Sequence, residues 1–340
     1  MVKVNRQQTR ALLALVLIVA LTAFAAGACK KQEAKGGAKL EKIIVGYAST
    51  PDLGMTPSLL AWDEIREMGY EVVPKFLTAN ELVGEALNRG DIDVGMSGGV
   101  QLYAANAQGA DFKAFFLVQG NKFTMIGRGD VKTFKDMHGK KFGLHSAGSI
   151  TKSMSDLTLA QKAPDVKPQV LFIPGSENRA EAMLRGELDA TVLELEDILH
   201  INSKQPGNFN VISSFATDLS DFLASPFFAK SKFLTERKPA AKAIVKSVLN
   251  TYRRIAADPQ WMVERAPKYV PAYNTELLPE AVGLYVKYNL WPINGGLDLK
   301  AQQFTIDFYA QQNQIPKDSK PEKFFDRSIL DEVLKEIGTK

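Results

Sequence analysis

Fourteen residues of this chain occur twice. "ELVGEALNRGDIDV" (81–94) aligns without gaps on "ENRAEAMLRGELDA" (177–190). Glu81, Glu85, Ala86, Arg89, Gly90 and Asp93 are matched by Glu177, Glu181, Ala182, Arg185, Gly186 and Asp189. Asp91 is exchanged for Glu187, and Ile92 for Leu188. Each copy reads as an amphipathic helix, then a glycine, then a short buried strand. Glycine tolerates the left-handed backbone needed just past a helix end. Two such units with the same stop, 96 residues apart, predict two similar α/β lobes.

The flanking segments extend that pattern. "KIIVGYAST" (42–50), "YEVVPKFL" (70–77), "DIDVGMS" (91–97) and "FKAFFLVQG" (112–120) read as strands. Helices fall between them at 56–69, 80–90 and 98–109, the first with Thr and Pro at its start and Gly at its close. Alternation at this spacing means βαβ units and a largely parallel sheet. In the second half, "KKFGLHS", "QVLFIPG", "LDATVLE" and "FNVISSF" read as strands, with a helix at 149–162 and the repeat helix among them. "KFTMIGR" (122–128) should cross between lobes, and the chain should return near "SPFFAKSKFL" (225–234). Beyond that point the pattern is helical, and the helices are expected to pack on the first lobe. The expected organisation is lobe one from 42–124 and 220–340, and lobe two from 125–219.

The N-terminus carries a separate message. Lys3, Arg6 and Arg10 precede "ALLALVLIVALTAFAAGA" (11–28) and then Cys29, the only cysteine. A basic segment, an apolar segment and small residues form a secretory signal. "AAGAC" resembles a bacterial lipoprotein signal over residues 1–28, with Cys29 lipidated and becoming the mature N-terminus. "KKQEAKGGAKLEK" (30–42) is polar and aperiodic, so residues 29–41 read as a flexible tether. Without the three leader cations the chain holds 39 basic and 38 acidic residues. A near-neutral chain with no basic stripe excludes nucleic acid as the natural partner.

The whole arrangement resembles a type II periplasmic solute-binding protein. It is similar to the substrate-binding proteins of ABC importers for sulfonates, nitrate and pyrimidine precursors, a group that also includes thiamine-precursor synthesis proteins. "FKDMHGKKFGLHSAGSITK", "AEAMLRGELDATVLELED" and "YNLWPINGGLDLKAQQFTIDFYAQQNQIP" carry the likeness, which spans roughly residues 42–330. The resemblance implies an α/β fold with a hinge cleft and a helical C-terminal extension. It implies a monomeric receptor that closes on a small organic solute and delivers it to an ABC permease, exported and held to the membrane through Cys29. The alternative is a non-transport protein on the same fold, either an enzyme of small-molecule biosynthesis or a ligand-sensing partner of a membrane receptor. The cysteine-rich stretch of the thiamine-precursor synthesis enzymes is absent, and Leu193–Glu196 stands where members often carry Trp or Asp-Pro.

In open α/β sheets ligands bind beyond the carboxyl ends of the strands, where helix N-termini also point. The expected ligand contacts are Ser49, Thr50 and Pro51 after the first strand, Ser97, Gly98 and Gly99 after the first repeat strand, and Gln119 and Asn121 after "FFLV". In lobe two they are His145, Ser146, Gly148, Ser149 and Thr151. The repeat places Glu194 opposite Gly98, so Glu194 should also face the cleft. Glu194 and Glu196 are expected on the same side of an extended strand. A hydroxyl-lined turn favours a sulfonate, carboxylate or similar anion. A cleft carboxylate favours an amine or another donor, and both together fit a zwitterion or a substituted organic acid. The histidines are only His138, His145 and His200, with no metal-binding spacing, and neither a nucleophile-elbow nor a P-loop motif occurs. No catalytic residue, metal or cofactor is therefore expected.

Overall fold

The computed structural model describes residues 40–98 and 100–340. The expected signal, Cys29, the tether as far as Lys39 and Gly99 lie outside the described residues. Leu40–Lys340 form one compact unit.

Three helices alternate with the first four strands: β1 (Glu41–Tyr47), α1 (Thr56–Glu67), β2 (Tyr70–Phe76), α2 (Asn80–Arg89), β3 (Val94–Met96), α3 (Val100–Ala107) and β4 (Phe112–Gln119). The chain then leaves as β5 (Phe123–Arg128) and runs through β6 (Lys141–Leu144), α4 (Ile150–Lys162), β7 (Gln169–Phe172), α5 (Ser176–Arg185), β8 (Ala190–Glu194), α6 (Leu195–Lys204), β9 (Phe209–Ser214) and a single turn, α7 (Phe215–Asp218). β10 (Ser225–Lys230) brings it back. The tail holds α8 (Ser231–Glu236), α9 (Lys238–Ala257), α10 (Pro259–Arg265), α11 (Leu278–Lys287), α12 (Leu299–Gln311) and α13 (Ser328–Ile337).

The strands form two five-stranded sheets, ordered β2-β1-β3-β10-β4 and β7-β6-β8-β5-β9. β1 is parallel to β2 and β3, and β6 is parallel to β7 and β8. In each sheet the fourth strand is the one that crosses over: β10 runs antiparallel to β3 and β4, and β5 runs antiparallel to β8 and β9. The two lobes therefore share one topology, as the repeat requires.

The repeat is also kept in atomic detail. α2 and α5 start and stop at residues 96 apart. Gly90 and Gly186 end them with φ of +80° and +73°. Beyond each glycine the N–H of Asp91 or Glu187 donates to the carbonyl of Ala86 or Ala182, at 2.9 Å in both lobes. These bonds close otherwise orphaned helix-end carbonyls.

β4 is buried over nearly its whole length, which is why "FKAFFLVQ" shows no alternation. α9 covers the first sheet, with the Tyr252 ring 5.9 Å from that of Phe116 and its hydroxyl donating to the Val118 carbonyl. The tail does not stay on the first lobe alone. The hydroxyl of Tyr285 on α11 donates to Glu196 Oε2 at 2.8 Å, and that of Tyr273 donates to the Glu196 carbonyl at 2.9 Å. The extended course expected through Glu194 and Glu196 is also corrected: β8 ends at Glu194, and Glu196 lies in the first turn of α6. That turn carries Glu196 and Asp197 at a helix N-terminus, where carboxylates are favoured.

Candidate functional site

The carboxyl ends of β1, β3, β6 and β8 converge on a cavity of about 60 Å³ between the sheets. Ser49, Thr50, Ser97, Gly98 and Gln119 line it from the first lobe, and His145, Ser149, Thr151 and Glu194 from the second. Four other expected residues stand elsewhere. Pro51 lines an adjoining chamber. The Asn121 amide donates to Met154 Sδ at 3.3 Å and to the Leu219 carbonyl at 3.4 Å. Ser146 and Gly148 lie outside the lining, on the seam where the lobes meet.

The turn "HSAGS" is a helix start whose hydroxyls are engaged locally. Ser149 caps α4, accepting from the N–H groups of Ser146 and Lys152 at 3.3 Å and donating to the Ser146 carbonyl at 2.8 Å. The Thr151 hydroxyl is 3.0 Å from that of Ser149 and accepts from the His145 N–H at 3.3 Å. The remaining donors of the turn reach the other lobe. Glu81, at the start of α2, accepts from the Ser146 hydroxyl at 3.1 Å and from the Gly148 N–H at 2.7 Å. Gln101 of α3 donates to the Gly148 carbonyl at 3.0 Å. On the opposite flank the Thr50 hydroxyl donates to Glu177, at the start of α5, at 3.3 Å.

Beneath the cavity sits a buried cation. Lys122 lies in the crossing between β4 and β5, with none of its side chain exposed. Its ammonium is 3.1 Å from Asp52, 2.5 Å from Glu194 and 4.0 Å from Glu196. Burial pushes its pKa down, but these three carboxylates together outweigh burial and hold it above the ordinary value. Burial raises Glu194, against the pull of Lys122 and with the added push of Asp52 and Glu196. The oxygens of Asp52, Glu194 and Glu196 lie within 4.8 Å of one another, a spacing able to hold a metal ion. Here the Lys122 ammonium supplies the positive charge which that spacing calls for.

A second buried cation, Arg179, lines the cavity. Its guanidinium donates to the carbonyls of Val192, Ile173 and Gly175 at 2.8–3.1 Å. His145 stands beside it. Its Nδ1 accepts from the Gly175 N–H at 3.1 Å, which leaves the neutral ring its proton on Nε2. Burial and the Arg179 charge push its pKa down to about 4, with Glu81 and the Thr78 carbonyl opposing in part. The imidazole is therefore neutral at pH 7.

Asn80, Lys122, Ser176, Glu177, Arg179 and Ser225 were not among the expected site residues. The repeat held the signal for three of them. Ser176 and Glu177 are the counterparts of Asn80 and Glu81. Arg179 stands where the first copy has the fully buried Val83, a break in pattern that marks a special position.

A family model described as "NMT1/THI5 like" matches residues 66–261. No curated protein matches the chain. Among solved structures, a ligand-binding component of an ABC-type import system from Staphylococcus aureus, with zinc bound, superposes with a TM-score of 0.68 at 13% identity, over 86% of this chain and 99% of that one. The periplasmic aliphatic sulphonate-binding protein SsuA from Escherichia coli gives 0.63 at 18% identity, over 84% and 92%. The periplasmic nitrate-binding protein NrtA from Synechocystis PCC 6803 gives 0.67 at 10%, over 89% and 90%. The fold is the periplasmic binding protein fold.

Proposed function

The chain belongs to the NMT1/THI5-like family, and from that premise we propose that it is the solute-binding receptor of an ABC importer. The observation that carries this reading is the cavity between two lobes of equal topology, bridged on both flanks by hydrogen bonds from one lobe to the other. A cavity so placed is filled and sealed by rotating one sheet toward the other about the crossing segments. One of the named neighbours is a ligand-binding component of an ABC-type import system, and the other two are periplasmic sulphonate- and nitrate-binding proteins. Their ligands differ from one another, so the fold supports the job and leaves the solute to the side chains. The reading includes export, anchoring through a lipid on Cys29, a monomeric state, a permease as the partner that receives the solute, and no catalytic step. No helix among the described residues is long and apolar enough to cross a membrane.

Thermal melting combined with small-angle scattering tests it, on the full chain in detergent, against sulfonates, carboxylates, nitrate, amino acids and pyrimidines. A solute at about 100 times its Kd stabilises the protein by about 2.7 kcal/mol. The expected result is a melting shift with one solute class together with a more compact particle. Binding without any change of shape sinks the receptor reading.

A further inference from the structure

The cavity of about 60 Å³ opens into a larger chamber of about 510 Å³, and Thr50, Asp52, Glu177 and Glu194 line both. That volume is in the ordinary range for small-molecule sites. Six carboxylates line the chamber: Asp52, Glu177, Glu181, Glu194, Glu196 and Asp197. Tyr269, Val270, Pro271 and Tyr273, from the tail between α10 and α11, line it too. Among the described residues neither lysine nor arginine lines it. Lys122 lies beneath three of the carboxylates, the buried Arg179 acts on Glu194, Asp197 and Glu177 from the adjoining cavity, Lys268 lies over the Tyr269 ring, and Glu181 is 3.1 Å from His200 Nε2; six carboxylates still outnumber these cations.

One buried atom points to what is missing. Glu196 is 4% exposed, yet its Oε1 accepts no hydrogen bond from any described residue, and Lys122 stands 4.0 Å from it. A buried carboxylate oxygen without a donor is costly unless a ligand supplies one. Carboxylates beside tyrosine rings are the chemistry that recognises an organic cation, the charge meeting the carboxylates and the body lying on the rings. A sulfonate or nitrate ion would enter against uncompensated like charge. A bare metal ion would meet the Lys122 ammonium already placed among Asp52, Glu194 and Glu196.

Resting on the receptor reading, we propose that the solute is a small organic cation, its ammonium or amidinium group donating to Glu196 and its body lying against Tyr269 and Tyr273. Burial and the neighbouring Glu196 also push Asp197 up to about 7, so the carboxylates crowd one another and an entering cation relieves them.

The test is isothermal titration of the full chain in detergent with agmatine, putrescine and phenethylamine, set against ethanesulfonate, nitrate and zinc chloride. At least one of the three cations should bind, more weakly as salt rises. Glu196→Gln should lower its affinity tenfold or more. Glu177→Gln, at an exposed position that keeps an acceptor for Thr50, should lower it about threefold through charge alone. Binding of only the anions, of only zinc, or of none of the cations overturns the assignment, as does cation binding unchanged in both variants. Scattering on the same samples separates the two readings: compaction with an anion keeps the receptor and rejects the cation, whereas a bound cation without compaction rejects the receptor.

Discussion

Glu81 and Glu177 stand 96 residues apart and make the same contact from opposite lobes. Glu81 accepts from Ser146 across the seam, Glu177 accepts from Thr50, and Thr50 and Ser146 are themselves 96 residues apart. Each lobe offers the other a carboxylate at a helix start and a hydroxyl at a strand end. This is the reciprocity of a two-fold interface, formed within one chain.

The two contacts are unequal in strength. Glu81 holds a hydroxyl and a backbone N–H, partly buried, whereas the Thr50 bond is longer and exposed. A hydrogen bond to a charged group contributes about 1.5–3 kcal/mol when sheltered and less when wet. Glu81→Ala should weaken solute affinity about tenfold and expand the particle seen in scattering, and Thr50→Val should weaken it by no more than about threefold. Equal losses would refute the ranking.

Gly148 gives a way to release the seam without removing a charge. A Cβ there would fall 1.5 Å from Gln101 Nε2 and 2.5 Å from Glu81 Oε1. Both atoms end flexible side chains, so they can swing away while the backbone holds. Gly148→Ala should melt within about 2 °C of the parent without solute, which corresponds to about 1 kcal/mol for a chain of this size, yet show a more open particle. A large fall in melting temperature would mean that the turn itself is damaged.

Lys122→Met should be among the most damaging substitutions at the site. It leaves Asp52, Glu194 and Glu196 crowded without their cation, and breaking a buried pair costs about 3–5 kcal/mol. Adding Glu194→Gln should recover part of the loss. A single variant as stable as the parent in thermal melting would show that the cluster is not held by charge.

Stability should respond to pH with opposing contributions. His145 is held down at about 4, so below about pH 6.5 the unfolded chain takes up a proton that the folded one refuses. That contribution is lost as pH falls from 6.5 to 4, by about 1.4 kcal/mol per unit. Asp197 is held up at about 7, so the folded chain keeps a proton that the unfolded one loses, and stability is lost as pH rises from 3.8 to 7. Denaturant melts of His145→Gln should therefore gain on the parent as pH falls through that window. Those of Asp197→Asn should gain on it as pH rises. Parallel profiles for parent and variants would rule this out.

The fold was legible because its signals are local. Strand runs, helix stops at Gly90 and Gly186, and the alternation between them are read over a few residues at a time. Much of the site depends on pairing across lobes, which no short window contains. Ser146 looks like a ligand hydroxyl until Glu81, 65 residues away, is seen to accept from it. Lys122 reads as an ordinary loop lysine until three carboxylates from two lobes surround it. Leu195 reads as strand because "ATVLELE" is apolar and alternating, yet the helix beginning there sets Glu196 under Tyr285.

The position of β10 has a consequence for synthesis. All five strands of the second sheet lie within residues 123–214, so that lobe has its full set once its own stretch has emerged. The first sheet cannot close so early, because β4 is joined to β3 only through β10, more than 100 residues later. A chain made from its N-terminus must hold β1–β4 unfinished while the later lobe assembles, with the apolar face of β4 open to mispairing meanwhile. The lobe that starts the chain is the last to be completed.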